Sequence, residues 1–400
     1  MQIQGTTSTL WQTEPDTVPF VVSPPLTEQR NAAKLCNVLH IINGEYFSGA
    51  ERVQQLLGRG LGPYGYNATF ACVKPGKFPT FCNLRAGQVL QTPMRSRVDL
   101  KVVTELVAHV RSEQVKLLHA HTPRTALVAS IVAARTRTPW IYHVHSPTAR
   151  DSTRGFVNRI NAAIESFSIR NCARLITVSR SLRREMLSRG VSRHKLSVVP
   201  NGVPAIDPIE TSFREDCPTW QMGLVALMRP RKGVEVALDT WQILKDRQMP
   251  IQLRLIGGFE NLAYQEQILA KIRNQGLSEH VVWTGFTDDV PTAIRELDGL
   301  LLPSLFGEGM PMVVLEALSA AVPVVATAVE GTPEVVRNGV EGILAEPGDP
   351  QSLALAIEQF ISSRNRWVGM SKRALSRHRE QFSAQRMCQR VARCYDRVLA

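Results

Sequence analysis

Phe306-Gly307-Glu308-Gly309-Met310-Pro311-Met312-Val313-Val314-Leu315-Glu316-Ala317 joins an apolar run ending at Pro303-Ser304 to a helix-forming segment. Strand, glycine-rich turn and helix in that order form the building unit of a parallel α/β sheet. Glu308 lies in the glycine-flanked loop, and Glu316 about one and a half turns into the helix. Gly307 and Gly309 let the backbone approach a ligand, while amides of the first helical turn face an anion. A carboxylate deeper in the helix is a good acceptor for a vicinal diol. A phosphate at the helix mouth with a diol below it is the shape of a nucleoside diphosphate sugar. Taken alone, the two acids equally suit a surface loop and a helix face.

The same rhythm extends in both directions. Short apolar runs at Lys34–Ile42, Asn67–Val73, Lys116–Ala120, Trp140–Val144, Arg174–Val178 and Leu196–Val199 alternate with amphipathic segments such as Ala50–Arg59 and Leu100–Glu113. Near-continuous apolar strands are what a sheet covered on both faces requires. Thr122-Pro123 starts a helix with a capping residue and a first-turn proline. Four prolines from Pro200 to Pro218 mark a linker. Strands at Met222–Met228, Gln252–Ile256, Val281–Trp283, Gly299–Leu302, Val322–Ala326 and Gly342–Leu344 then follow. Helices are expected at Val234–Asp246, Tyr264–Asn274 and Pro311–Ser319, and two more after Arg364. The expected architecture is α/β, two facing Rossmann-like domains with an interdomain cleft. The boundaries are a loose tail over 1–33, a first domain at 34–208, a second at 209–372, and a closing helix at 373–400. Ligands of such sheets bind at the carboxyl ends of the strands.

Three further motifs stand at strand ends. Met228-Arg229-Pro230-Arg231-Lys232-Gly233 places three cations within four positions, enough to neutralise a leaving diphosphate; alone it is a common basic turn. Asn43-Gly44-Glu45-Tyr46-Phe47-Ser48-Gly49-Ala50-Glu51-Arg52 joins the first strand to its helix, and by itself suits a glycine turn and cap equally well. His119/His121 and His143/His145 each put two imidazoles on one face of a strand end. A metal site would need further ligands that the sequence does not mark out, and core or capping histidine is the usual reading. The chain contains no D-x-D, which disfavours a metal-bridged nucleotide-sugar enzyme.

Bulk properties narrow the function classes. At 400 residues with 44% hydrophobic and 20% charged residues, the chain has an ordinary two-domain composition. No run approaches the roughly 20 apolar residues of a membrane span, and Met1–Ala33 lacks the layout of a secretory signal. Seven cysteines, scattered and never in C-x-x-C, fit small buried residues better than disulfides or zinc. Both features point to the cytoplasm. The net charge of +12 is unevenly spread: residues 1–208 carry 26 Lys/Arg against 12 Asp/Glu. That excess suits a solvated surface, a phosphorylated ligand or an anionic membrane face. Nucleic acid would also fit the charge, but no binding module is present. No clean G-x-G-x-x-G follows Ile42 or Ile256, against a dinucleotide-linked dehydrogenase.

The 306–317 motif, continued through Ala320-Ala321-Val322-Pro323 to Glu330-Gly331-Thr332-Pro333-Glu334, resembles the donor-site signature of retaining glycosyltransferase family 4. The resemblance covers residues 34 to 400 and is most specific from Leu301 to Glu334. It implies the GT-B architecture and no essential metal or other cofactor. It assigns Glu316 to the donor's ribose hydroxyls and Glu308 to the transferred sugar. Backbone from Gly309 through Met310, Pro311 and Met312 to Val313 would hold the diphosphate. Lys232 matches the family's phosphate-binding lysine. The family's Gly-Arg is missing at Ala226-Leu227, with Arg229 as the substitute guanidinium. Gly49 would approach the donor phosphate from the first domain. His145 matches the histidine beside the reacting centre, and His143 takes its place if the register slips by two. Ala321 stands where the family has glycine. The implied reaction moves a sugar from a nucleoside diphosphate sugar to a hydroxyl of a glycan or lipid-linked acceptor, with retention, in polysaccharide or glycoconjugate synthesis. A sugar-nucleotide epimerase or hydrolase of the same fold is the nearest alternative.

Overall fold

The structure is a computed structural model that describes residues 35–96, 99, 101–147, 163–207, 219–362 and 364–400. The expected tail over 1–33, Cys217 and the linker from 208 to 218 lie outside these residues. In the first half, seven parallel strands run as β1 (Cys36–Ile42), β2 (Tyr66–Cys72), β3 (Val89–Gln91), β4 (Leu117–Ala120), β5 (Trp140–Val144), β6 (Arg174–Thr177) and β7 (Leu196–Val198). Their spatial order is β3-β2-β1-β4-β5-β6-β7. The reversal beside β1 creates a crevice at the carboxyl ends, where such sheets bind ligands. The second half repeats the plan with β8 (Trp220–Val225), β9 (Ile251–Ile256), β10 (Val281–Gly285), β11 (Gly299–Leu302), β12 (Val324–Thr327) and β13 (Gly342–Ala345), in the order β10-β9-β8-β11-β12-β13. Two doubly wound parallel sheets of seven and six strands constitute the GT-B fold.

Local chemistry places the elements. Leu117–Ala120, Trp140–Val144 and Gly299–Leu302 are buried at every position, as strands covered on both faces must be; only His119 and His143 break their apolar runs. Thr122 caps the helix Pro123–Thr136 by accepting from the Thr125 amide at 3.3 Å. Asn261 and Asp349 cap two helices of the second half in the same way.

One apolar cluster runs from the first sheet into the face of the second that carries the helix Met312–Ser319. Another fills the opposite face of the second sheet around Trp241 and Phe360. The last helix, Ala384–Leu399, belongs to the first of these through Met387, Cys388, Val391 and Tyr395. It is held to the first half by Tyr66 Oη donating to Asp396 at 2.6 Å. Upstream, Val203 exchanges backbone bonds of 2.9 Å with Phe382 and Ala384. The chain therefore crosses between the halves twice. Among the described residues no helix is long and apolar enough to cross a membrane.

Candidate active site

The basic turn and the acidic loop meet because of a glycine. Pro230–Lys232 forms a single tight turn, and Gly233 follows with φ +69°. A Cβ on Gly233 would stand 2.0 Å from the Pro303 carbonyl oxygen, so only glycine lets the turn lie against the end of β11. Lys232 Nζ then reaches Glu308 Oε1 at 2.6 Å, and Ser304 Oγ donates to the same oxygen at 2.7 Å. Arg231 Nη1 stands 3.7 Å from that carboxylate and donates to the Gly307 carbonyl at 3.2 Å. Glu330, itself at φ +37°, accepts the Glu308 amide at 2.7 Å, which locks the loop from behind.

The second acid lies one turn into the helix Met312–Ser319, whose N-cap is Pro311. Glu316 is buried, and its Oε1 forms an ion pair at 2.5 Å with Arg52 Nη1 from the helix Gly49–Gly60 of the first half. The two buried carboxylates differ in charge balance. Burial pushes Glu308 up, but Lys232 and then Arg231 outweigh it and hold the group below its ordinary value. Burial pushes Glu316 up, and Arg52, whose side chain is 32% exposed, recovers only part. The charge of Glu308 is thus fully compensated by its neighbours, whereas that of Glu316 is compensated only in part.

The first half closes over this loop. A Cβ on Gly309 would lie 2.1 Å from the His145 carbonyl oxygen, so glycine permits that approach. Asn201 Nδ2 donates to the Met310 carbonyl at 3.3 Å, and Gly49 packs against Met312. Glu334 spans the halves by accepting the amides of Arg180 and Ser181, each at 2.7 Å. A separate cavity of about 400 Å³ beside that bridge is lined by Arg180, Arg183, Arg184, Val198 and Glu334. It contains none of the residues assigned to the donor.

Of the residues named from sequence, Gly49 meets Met312, His145 meets Gly309 and Lys232 meets Glu308, with Met310, Pro311, Val313 and Glu316 on the same loop and helix. His143 is completely buried inside the first half, whereas His145 is half-buried at the seam. Arg229 stands apart from the acidic loop, with its Nε 3.9 Å from Glu260. Arg231, two residues on, is the guanidinium beside Glu308, because the turn after Arg229 reverses the chain.

Sequence reasoning missed Arg52, although its place inside the Asn43–Arg52 motif was a usable signal. It also missed His40. That residue on β1 pairs in register with His119 on β4 and completes a cluster with His121, His143 and His145. Within each of the sets His40/His119/His121 and His121/His143/His145, ring nitrogens lie within 4.8 Å of one another. The spacing would suit a metal, but the rings do not converge on a point. His40 Nδ1 bonds His121 Nε2 at 3.0 Å, and His121 Nδ1 bonds His145 Nε2 at 2.9 Å. The ring planes of these pairs lie within 19° and 14° of parallel, and each pair is joined nitrogen to nitrogen.

Comparison with known proteins gives the family. Residues 221–363 match the model for "Glycosyl transferases group 1", and residues 47–205 match "Glycosyltransferase Family 4". The two together take in well over half of the chain, which belongs to the group 1, family 4 glycosyltransferases. Among its relatives, the UDP-Gal:alpha-D-GlcNAc-diphosphoundecaprenol alpha-1,3-galactosyltransferase of Escherichia coli is 26% identical over 282 residues. That match covers 66% of this chain and 71% of the relative. The capsular polysaccharide biosynthesis glycosyltransferase CapM of Staphylococcus aureus is 22% identical, covering 75% and 82% respectively. The solved structure of Anabaena HepE in complex with UDP-glucose superposes with a TM-score of 0.79 at 21% identity. It covers 90% of this chain and 99% of that one.

Proposed function

We propose that the chain transfers a glycosyl unit from a nucleoside diphosphate sugar to an acceptor hydroxyl, with retention and without a metal ion, in polysaccharide or glycoconjugate synthesis. The observation that carries this reading is the Lys232–Glu308 pair of 2.6 Å on a glycine loop that abuts both His145 and the helix of Glu316. Lys232 has a three-donor ammonium of which Glu308 occupies one direction, leaving others for the departing diphosphate. The Met312 and Val313 amides precede the first bonds of the helix, which run from Val314 and Leu315 to the Pro311 carbonyl, and they face the same charge. Glu308 accepts from hydroxyls of the transferred sugar, and Glu316 exchanges Arg52 for the ribose diol. A UDP-sugar is the first donor to test, since HepE was crystallised with UDP-glucose. A lipid-linked diphosphate acceptor is favoured by the name of the Escherichia coli relative. The basic first half would present that acceptor from an anionic membrane surface.

Lys232→Ala and Glu316→Ala each lower turnover at least about a hundredfold, the scale of one lost transition-state contact. The assay screens nucleoside diphosphate sugars with and without a membrane extract, with and without chelator. Wild-type rates in both variants remove the site assignment, and abolition of activity by chelator removes the metal-free mechanism. Pelleting with anionic but not neutral liposomes checks the membrane contact.

A further inference from the structure

A turn in the second half grips the Glu308 backbone on both sides. It joins β12 to the short helix Thr332–Val335 and closes with the Thr332 amide donating to the Val329 carbonyl at 2.9 Å. Its first central residue, Glu330, has φ +37°, and its second, Gly331, has φ −84°. A turn with positive φ first and negative φ second ordinarily takes glycine at the first position. Here the order is inverted. Gly331 stands where the backbone angle does not require glycine, because a Cβ there would lie 2.0 Å from the Gly309 carbonyl oxygen. Glu330 carries a side chain where side chains are disfavoured, and such strained positions cluster at functional sites. Its Oε2 accepts the Glu308 amide at 2.7 Å. One residue on, the Gly331 amide donates to the Glu308 carbonyl at 2.9 Å.

This two-sided hold answers a weakness of the loop it grips. Glu308 lies between Gly307, at φ +83°, and Gly309, which admit the Arg231 guanidinium and the His145 carbonyl. Glycine leaves a backbone freer than any other residue does. The Glu308 side chain is fixed at its tip by Lys232 and Ser304, and without Glu330 the backbone could still pivot about that point. A carboxylate is a stronger acceptor for a backbone N–H than a neutral group. A reacting group misplaced by about 1 Å loses on the order of a hundredfold in rate.

We infer that Glu330 is a positioning residue for the transfer: by accepting the Glu308 amide it holds the glycine-flanked loop, and with it the Glu308 carboxylate, against the transferred sugar. The inference rests on the assignment of Glu308 to that sugar. The part Glu330 plays is that of a hydrogen-bond acceptor.

Glu330→Ala is expected to lower kcat and kcat/KM together by about tenfold or more, the worth of one charge-assisted hydrogen bond. The donor KM and the affinity for the nucleoside diphosphate are expected to stay within about twofold of wild type, because the ribose and diphosphate contacts are untouched. Glu330→Gln, whose side-chain oxygen accepts the same bond, is expected to recover most of the rate. Glu330→Gly removes the acceptor but relieves the positive φ. It is expected to unfold at a higher midpoint than Glu330→Ala and to be equally slow, whereas a merely structural residue would move rate and stability together. Hydrogen exchange of the full chain, read by mass spectrometry, follows the hold itself without any substrate. The peptide carrying Glu308 is expected to exchange faster in the Ala and Gly variants and at the wild-type rate in the Gln variant. Unchanged exchange or unchanged kcat in Glu330→Ala overturns the proposal, and so does a Gln variant as slow as the Ala variant. If Glu330→Ala fails to fold, Glu330→Gly supplies the same comparisons. A wild type inactive toward every nucleoside diphosphate sugar overturns the enzymatic reading and the role of Glu330 with it, while wild-type activity with an indifferent Glu330→Ala sinks the role alone.

Discussion

Glu308 and Glu316 show how two buried carboxylates eight positions apart acquire different tasks. The Glu308 pKa is depressed, so the stability it contributes is present above the unfolded value and is lost as pH falls through the folded one. The Glu316 pKa is raised, so the folded protein holds that proton more tightly than the unfolded chain, and stability falls as pH rises through the folded value. Glu316→Gln cannot ionise, and the partly exposed Arg52 it abandons can turn to water. Its unfolding midpoint at pH 8 is expected to equal or exceed that of the wild type, with the difference shrinking on acidification. Nucleotide-sugar affinity is expected to drop about tenfold or more, the worth of a charge-assisted hydrogen bond. A midpoint several degrees below wild type would show that the Arg52 pair outweighs the burial. The acids themselves were readable from their glycine-flanked spacing. Their partners were not, because Arg52 lies more than 250 positions from Glu316 and only the closed seam brings them together.

Among elements, the helix-to-strand turn at Ala321 carries a measurable defect. Ala321 adopts φ +59°, and its carbonyl is held by Ser371 Oγ at 2.7 Å. A side chain in the left-handed region costs about 1–2 kcal/mol, partly offset by alanine's smaller unfolded-state entropy. Ala321→Gly is expected to raise stability by about 0.5–1 kcal/mol in chemical denaturation; a decrease would place the strain elsewhere. The Glu334 bridge is a cap supplied from outside the helix. Glu334→Ala removes the acceptor from two amides of the Arg180–Ser188 helix and should cost about 1 kcal/mol. Faster amide exchange confined to that helix is the measurement. Strands were legible in proportion to the continuity of their apolar runs. Trp140–Val144 and Gly299–Leu302 have the expected bounds, and so does the helix Val234–Asp246. The strand expected at Met222–Met228 ends at Val225, because Ala226 to Met228 are apolar residues of the loop that delivers the basic turn. The three-residue β3 and the short helices Lys77–Phe81 and Val290–Arg295 fell below what periodicity can register.

For the whole molecule, the unequal partners are the two halves. The Ala384–Leu399 helix buries Met387, Val391 and Tyr395 in the first half's core, each worth about 1.5–3 kcal/mol. Deleting residues 384–400 is therefore expected to abolish cooperative unfolding of the first half while leaving the second half's transition visible. A deletion variant with wild-type calorimetry would mean that the helix is dispensable. Doubling of one strand–helix rhythm made the two-sheet plan readable from sequence. The histidine cluster was not readable, since it needs β1, β4 and β5 side by side.

The late position of that helix also has a consequence for biosynthesis. The ribosome finishes the seven strands of the first sheet by residue 198, but the residues that seal its core emerge only after a further 185 or so. At about 5–20 residues per second the nascent first half waits roughly 10–40 s with an apolar flank uncovered. During that interval it is a natural client for a holding chaperone, and a stall late in translation would release an adhesive fragment instead of a folded domain.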